Sequence, residues 1–108
     1  MNLLLVTFAL RNQQRDYSPF FVALRGNALN WWHFIEQTCV ITTNHDENSL
    51  TQQLIPYIEP TDSVLVIRVT PHSFQGWLPK VAWEALNGMS KVTQPAAALP
   101  ALTPPPRP

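Results

Sequence analysis

The stretch Asn30–Thr43, NWWHFIEQTCVITT, constrains this chain more than any other. Two apolar runs, Trp31–Ile35 and Cys39–Thr42, flank the short polar Glu36-Gln37-Thr38. A break that short between β-prone runs predicts a tight hairpin. By period-two alternation, Trp31, His33 and Ile35 share one face and Trp32 and Phe34 the other. Both faces are apolar, so both need cover. One is expected to pack on helices, and the other to form an interface.

The flanks follow from the same patterning. Asn2–Phe8, NLLLVTF, is a short apolar run that suits a buried strand. Ser18-Pro19 reads as a helix start, with Ser as cap and Pro in the first turn. Phe20, Phe21, Leu24 and Ala28 supply its apolar stripe, and Gly26-Asn27 its end. After the hairpin, Ser49 with Gln52 forms a capping box, or Asn44 with Glu47 an earlier start. Leu50, Leu54 and Ile58 give that helix one apolar face. Ser63–Val69, SVLVIRV, is a second β-branched strand. Leu78–Asn87 reads as a short helix closed by Asn87-Gly88.

The resulting order, strand–helix–strand–strand–helix–strand, is the ferredoxin-like split βαβ plan. The expected fold is α+β: a four-stranded antiparallel sheet with two helices on one face, plus a short C-terminal helix. The first strand should lie beside the third, in the sheet's middle. The second sheet face is left to the final helix, a second subunit or a ligand. Residues 1–88 form the expected domain. Residues 89–108 are Pro/Ala-rich, with six of the eleven prolines in Pro95–Pro108, and read as a disordered tail. PxxP spacing occurs at Pro105–Pro108.

Charge narrows the function classes. Seven basic and seven acidic residues give zero net charge, which excludes a strong non-specific phosphate grip. Charged residues are only 13% of the chain, so part of the surface should be buried against a partner, most simply a second copy. Cys39 is the only cysteine, which excludes an intramolecular disulfide and a cysteine-based zinc site. The early LLLV run lacks a basic flank and meets polar RNQQRD at once. No signal peptide or membrane span is expected, and the cytoplasm is the default.

The segments DYSPFFVAL, NWWHFIEQTCVI, DSVLVIRV and GWLPKVAWEAL resemble a small SinR-like bacterial family. That family is related to the small ferredoxin-like CRISPR-associated protein that supports spacer acquisition. The resemblance covers roughly residues 2–87. It implies a ferredoxin-like fold, a homodimer formed by sheet-to-sheet contact and, in the CRISPR relatives, metal-dependent cleavage of nucleic acid. The cleavage uses an Asp at the end of the first strand. Here that place is Phe8-Ala9-Leu10, and Ala9 offers no hard oxygen ligand. The chain is therefore expected to be a non-catalytic relative, needing no cofactor, that serves as a nucleic-acid-associated or assembly component in a defence or mobile-element setting. One alternative is a metal-dependent endoribonuclease or DNase in which Asp16 binds Mg²⁺. The other is a protein-interaction regulator that binds no nucleic acid.

Individual residues follow this division. Arg11 and Arg15, doubled by a two-fold axis, are the expected phosphate-contacting pair. Trp32 and Phe34 are the expected dimer-interface residues. His33 lies in an apolar strand without a spaced carboxylate and reads as structural. His45 with Asp46 and Glu47 reads as helix-cap material, and His72 as a loop residue. Cys39 reads as a small buried hydrophobe. Trp31, Trp32, Trp77 and Trp83 lack the interleaved basic residues of a base-stacking platform.

Overall fold

Alternation along Asn2–Ala9 (β1) builds both cores of the molecule. Leu4, Val6 and Phe8 point to one side and are buried there, while Leu3 and Leu5 point to the other. The computed structural model describes residues 1–93. Within them follow α1 (Ser18–Gly26), β2 (Asn30–Ile35), β3 (Thr38–Thr43), α2 (Glu47–Leu54), a 3₁₀ turn at Ile55–Tyr57, β4 (Ser63–Arg68) and α3 (Lys80–Thr93). Of the tail expected over residues 89–108, residues 89–93 belong to α3, and residues 94–108, with the PxxP spacing, lie outside the described residues.

The four strands form one antiparallel sheet in the order β2-β3-β1-β4, so β1 lies between β3 and β4. The architecture is α+β and consistent with a ferredoxin-like plan. On one face, Cys39 and Ile41 of β3 join β1 against Phe20 and Leu24 of α1 and Leu50 and Leu54 of α2. Phe8, Phe20 and Phe21 meet edge to face, with centroids 5.2–5.5 Å apart, the geometry that ring quadrupoles favour.

Of the three coverings open to the second face, the final helix takes one half. Ala82, Trp83, Leu86 and Met89 of α3 pack on Leu3, Trp32 and Val40. This helix does not stop at Gly88 as expected but runs on to Thr93. Leu86, Met89 and Ser90 are buried on it, so packing outweighs the roughly 1 kcal/mol that a mid-helix glycine costs relative to alanine. A Cβ at Gly88 would meet nothing within 4 Å. Gly88→Ala is accordingly expected to raise stability by about 0.5–1 kcal/mol. A urea midpoint that rises with an unchanged slope will register this.

Three local expectations are corrected. Ser18 does not cap α1; the cap position is Tyr17, and Asp16 Oδ1 accepts from the Ser18 N–H and hydroxyl at 2.9 and 2.6 Å. Asp46, not Ser49 or Asn44, caps α2, accepting the Ser49 N–H at 2.7 Å. Asn27 ends α1 at φ −98°, with its side-chain amide donating to the Ala23 carbonyl, so no left-handed residue is used.

The hairpin carries a fourth. Trp32 pairs with Val40, but Ile35 pairs with Thr38, so an extra residue bulges between them. The bulge brings Ile35 round to the side of Trp32 and Thr38, away from Trp31 and His33.

Candidate functional site

The loop after β1 was the expected place for chemistry. Ala9 pairs with Ser63, so the chain just before β4 lies against that loop. Asp62 there accepts the Arg11 N–H at 2.8 Å, the Glu59 N–H at 2.8 Å and the Tyr17 hydroxyl at 2.7 Å. Glu59 Oε2 takes the Asn12 side-chain amide at 2.8 Å and lies 3.8 Å from Arg15 Nη1. The Arg15 guanidinium also sits 5.6 Å from the Tyr17 ring centroid. A carboxylate therefore does reach the end of the first strand, and it is Asp62. Only the non-local pairing of β1 with β4 reveals it; no motif in the sequence marks it.

Of the two arginines, only Arg15 has its guanidinium beside these carboxylates, Glu59 and Asp62; Arg11 meets Asp62 through its backbone N–H, and Asp16 bonds Ser18. Asp16 is spent on Ser18, whose hydroxyl and then N–H hold its carboxyl below the usual range. Among the described residues, no three His, Cys, Asp or Glu side chains converge as metal ligands would. Desolvation raises the Asp62 carboxyl, but its bonds to Arg11, Glu59 and Tyr17 and the charge of Arg15 outweigh this and lower it overall. A carboxyl lower in the folded chain stabilises it above the ordinary carboxylate range. That stabilisation is lost as pH falls through the folded value. Acid unfolding is expected to be shallower in Asp62→Asn than in the native chain, measured as urea midpoint against pH.

The other candidates make local contacts. The His33 Nε2 lies 2.9 Å from the Glu36 carbonyl, and His45 Nδ1 bonds the Ser49 hydroxyl. His72 adopts a left-handed φ of 62° and is buried, its N–H donating to Ser90 Oγ at 3.3 Å. Cys39 is fully buried, and burial pushes its thiol up to about 12 against a smaller opposing pull from Arg25. Native Cys39 is expected to resist a thiol-disulfide reagent at neutral pH and to react fully in denaturant. Rapid labelling of the folded chain would refute its burial.

The tryptophans separate sharply. Trp32 is 2% exposed, and its Nε1–H donates to the Ala82 carbonyl at 2.9 Å. It belongs to the chain's own core, so it cannot lend its side chain to a dimer surface as expected. Trp83 is buried and stacks on Phe74 with centroids 6.2 Å apart. Trp31 lies under the Arg25 guanidinium, 4.9 Å away. Trp77 alone of the four is 99% exposed. Phe34, the other expected interface residue, is 46% exposed beside Trp32.

Trp77 stands at the lip of a groove of about 510 Å³ on the α3 side of the sheet. The helix covers the β2–β3 half of this face and leaves the β4 half open. Leu5, Ile67 and Val69 form the floor, Trp83 and Leu86 one wall, and the Phe74–Leu78 loop the other. Ile35, brought round by the bulge, closes one end. Arg68 is the only charged lining residue, and it is paired with Glu47 at 2.6 Å. The groove is therefore apolar and aromatic, with Thr70, Ser73 and Gln75 as its polar rim. Its volume falls within the range of ligand sites. In the sequence, the signal for this loop is a tryptophan flanked by Gln75-Gly76 and Leu78-Pro79.

No protein-family model, curated protein or solved structure matches the chain. Among the described residues, no helix is long and apolar enough to cross a membrane.

Proposed function

We propose that this chain is a non-catalytic binding module of ferredoxin-like fold whose working surface is the aromatic groove. Its ligand class is an extended, proline-containing apolar polypeptide. The observation that carries this reading is Trp77, held in water at the lip of a groove otherwise built from Phe74, Trp83 and Ile67. A fully hydrated indole contributes nothing to the fold, whereas aromatic grooves bind polyproline-II segments at low ordering cost. The indole N–H and the Gln75 side chain are suited to the unpaired carbonyls of such a segment. Fluorescence titration with a synthetic Leu-Pro-Pro repeat peptide tests this. Saturable binding that Trp77→Ala removes is expected; binding indifferent to Trp77 overturns the reading.

The loop of Arg11 and Arg15 is less suited to phosphate, because Glu59 and Asp62 already lie beside the Arg15 guanidinium. For a nuclease, Asp16 would first have to release Ser18.

Pairing of two copies is a second reading, moved from the hairpin to β4. Leu65 and Ile67 are 56% and 46% exposed on this edge strand, which bears no Lys or Pro to discourage pairing. Light scattering should then give a dimer, reduced to monomer by Leu65→Lys. A native monomer sinks this reading.

A further inference from the structure

We infer that two copies of this chain pair edge to edge along β4, antiparallel about a two-fold axis at Val66, and that each copy thereby extends the floor of the other's groove. This rests on the pairing of copies read above and adds to it a register and a shared site.

The sheet's two edges differ. The order β2-β3-β1-β4 leaves β2 and β4 outermost. β2 is broken by the bulge after Trp32, a device that blunts an edge against pairing. β4 has no such break: Ser63–Arg68 runs in continuous register with β1. It bears no proline, glycine or lysine, and its one charge, Arg68, stands at its end and is paired with Glu47.

The backbone groups that this edge presents set the register. The Val69 N–H donates to the Leu3 carbonyl at 2.8 Å, in the same register that pairs Leu5 with Ile67 and Thr7 with Leu65. Alternate residues of an antiparallel strand turn their backbone groups to opposite sides. Ser63, Leu65 and Ile67 therefore bond β1, and Val64, Val66 and Arg68 turn N–H and carbonyl outward, where the sheet ends. A second β4 centred on Val66 sets Val66 against the partner's Val66, and Val64 against the partner's Arg68. All three outward residues then exchange both their bonds, about six in all. Centring on Leu65 instead joins only Val64 with Val66, for about four bonds. Centring on Val66 also keeps the two arginines about 13 Å apart along the sheet. That exceeds the roughly 8–10 Å over which exposed charges interact in salt. The strand is thus complementary to itself, as a two-fold interface requires, which names a second copy as its occupant.

The groove changes with it. Leu65 and Ile67 lie on the α3 side of the sheet, opposite Thr7 and Leu5, and both are exposed. Ile67 lines the groove and Leu65 does not. In the Val66-centred register the partner's Leu65 stands directly across from Ile67, with Cα atoms about 4.5 Å apart. The floor that ends at Ile67 in one chain is carried on by the partner's Leu65. The exposed leucine and isoleucine of each copy become apolar cross-strand pairs.

The experiment mixes two full-length single variants, Leu65→Cys and Ile67→Cys, under a mild oxidant. Cys39 is buried and does not compete. A disulfide-linked dimer is expected in the mixture and not in either variant alone, where like positions lie about 7–8 Å apart on the diagonal, beyond the reach of a disulfide. Cross-linking of Leu65→Cys to itself puts the axis at Leu65; it overturns the inference and leaves the pairing of copies standing. No cross-link overturns the inference and the pairing together, whether light scattering finds the native chain a monomer or a dimer joined elsewhere. The shared floor is read with the Leu-Pro-Pro repeat peptide. The native dimer should bind it roughly tenfold more tightly than the monomeric Leu65→Lys chain, the effect of about one buried aliphatic side chain. Equal affinities show a groove complete in one chain and overturn the shared site. Binding by neither chain removes the groove reading, and the shared site falls with it.

Discussion

Trp32→Ala is expected to destabilise the domain by about 3–5 kcal/mol, the usual cost of emptying a buried aromatic site. Domains of this size have little to spare, since native stabilities run from about 5 to 15 kcal/mol. The indole fills the space between β2 and α3, packed in one cluster with Val40, Trp83 and Leu86. Its Nε1–H also bonds the Ala82 carbonyl at 2.9 Å, which ties this sheet face to the helix. Removing it leaves α3 with a void beneath it, and the wall of the groove loosens. Thermal unfolding by circular dichroism should show a midpoint lower by roughly 10 °C or more. Trp32→Phe separates the two contributions. It keeps most of the packing and loses the hydrogen bond, for about 1 kcal/mol plus a small packing loss. An alanine variant as stable as the native chain would contradict the placement of Trp32 under α3.

Trp77→Ala is expected to behave in the opposite way. The side chain is almost wholly in water, so its removal should change stability by no more than about 0.5 kcal/mol. The same change should weaken Leu-Pro-Pro peptide binding by about 2 kcal/mol or more, roughly thirtyfold, as truncation of a tryptophan anchor usually does. The two effects are measured on the same sample, by melting and by fluorescence titration. A drop in melting temperature comparable to that of Trp32→Ala would show that Trp77 belongs to the core. Unchanged binding with unchanged stability would show that the groove's lip is idle.

The hairpin, the two β-branched strands and the order of elements were legible in the sequence because each rests on local periodicity. Asn2–Phe8 and Ser63–Val69 read as strands, and both are, within a residue or so at their ends. What was lost depended on events that periodicity does not encode. A single bulged residue after Trp32 moved Ile35 to the other face, and with it one end of the groove. Gly88 looked like a stop, yet the burial of Met89 and Ser90 carries the helix past it. That extension sets how much of the second face is covered. Nothing in the sequence singles out Asp62; its role comes from the pairing of Ala9 with Ser63, more than fifty positions apart in sequence. Trp32 and Trp77 were indistinguishable as residue types. Only the path of α3 makes one a core residue and the other a surface one.

The central claim is that the groove between β4 and α3 is the working surface. It is tested most directly by titrating the Leu-Pro-Pro repeat peptide into the full chain while observing all four tryptophan indole signals. The account predicts that Trp77 moves most, Trp83 moves less, and Trp31, under Arg25 on the opposite face, stays in place. Shifts confined to Trp31, or to backbone signals of the Arg11–Asp16 loop, or no shift at peptide excess, would contradict it.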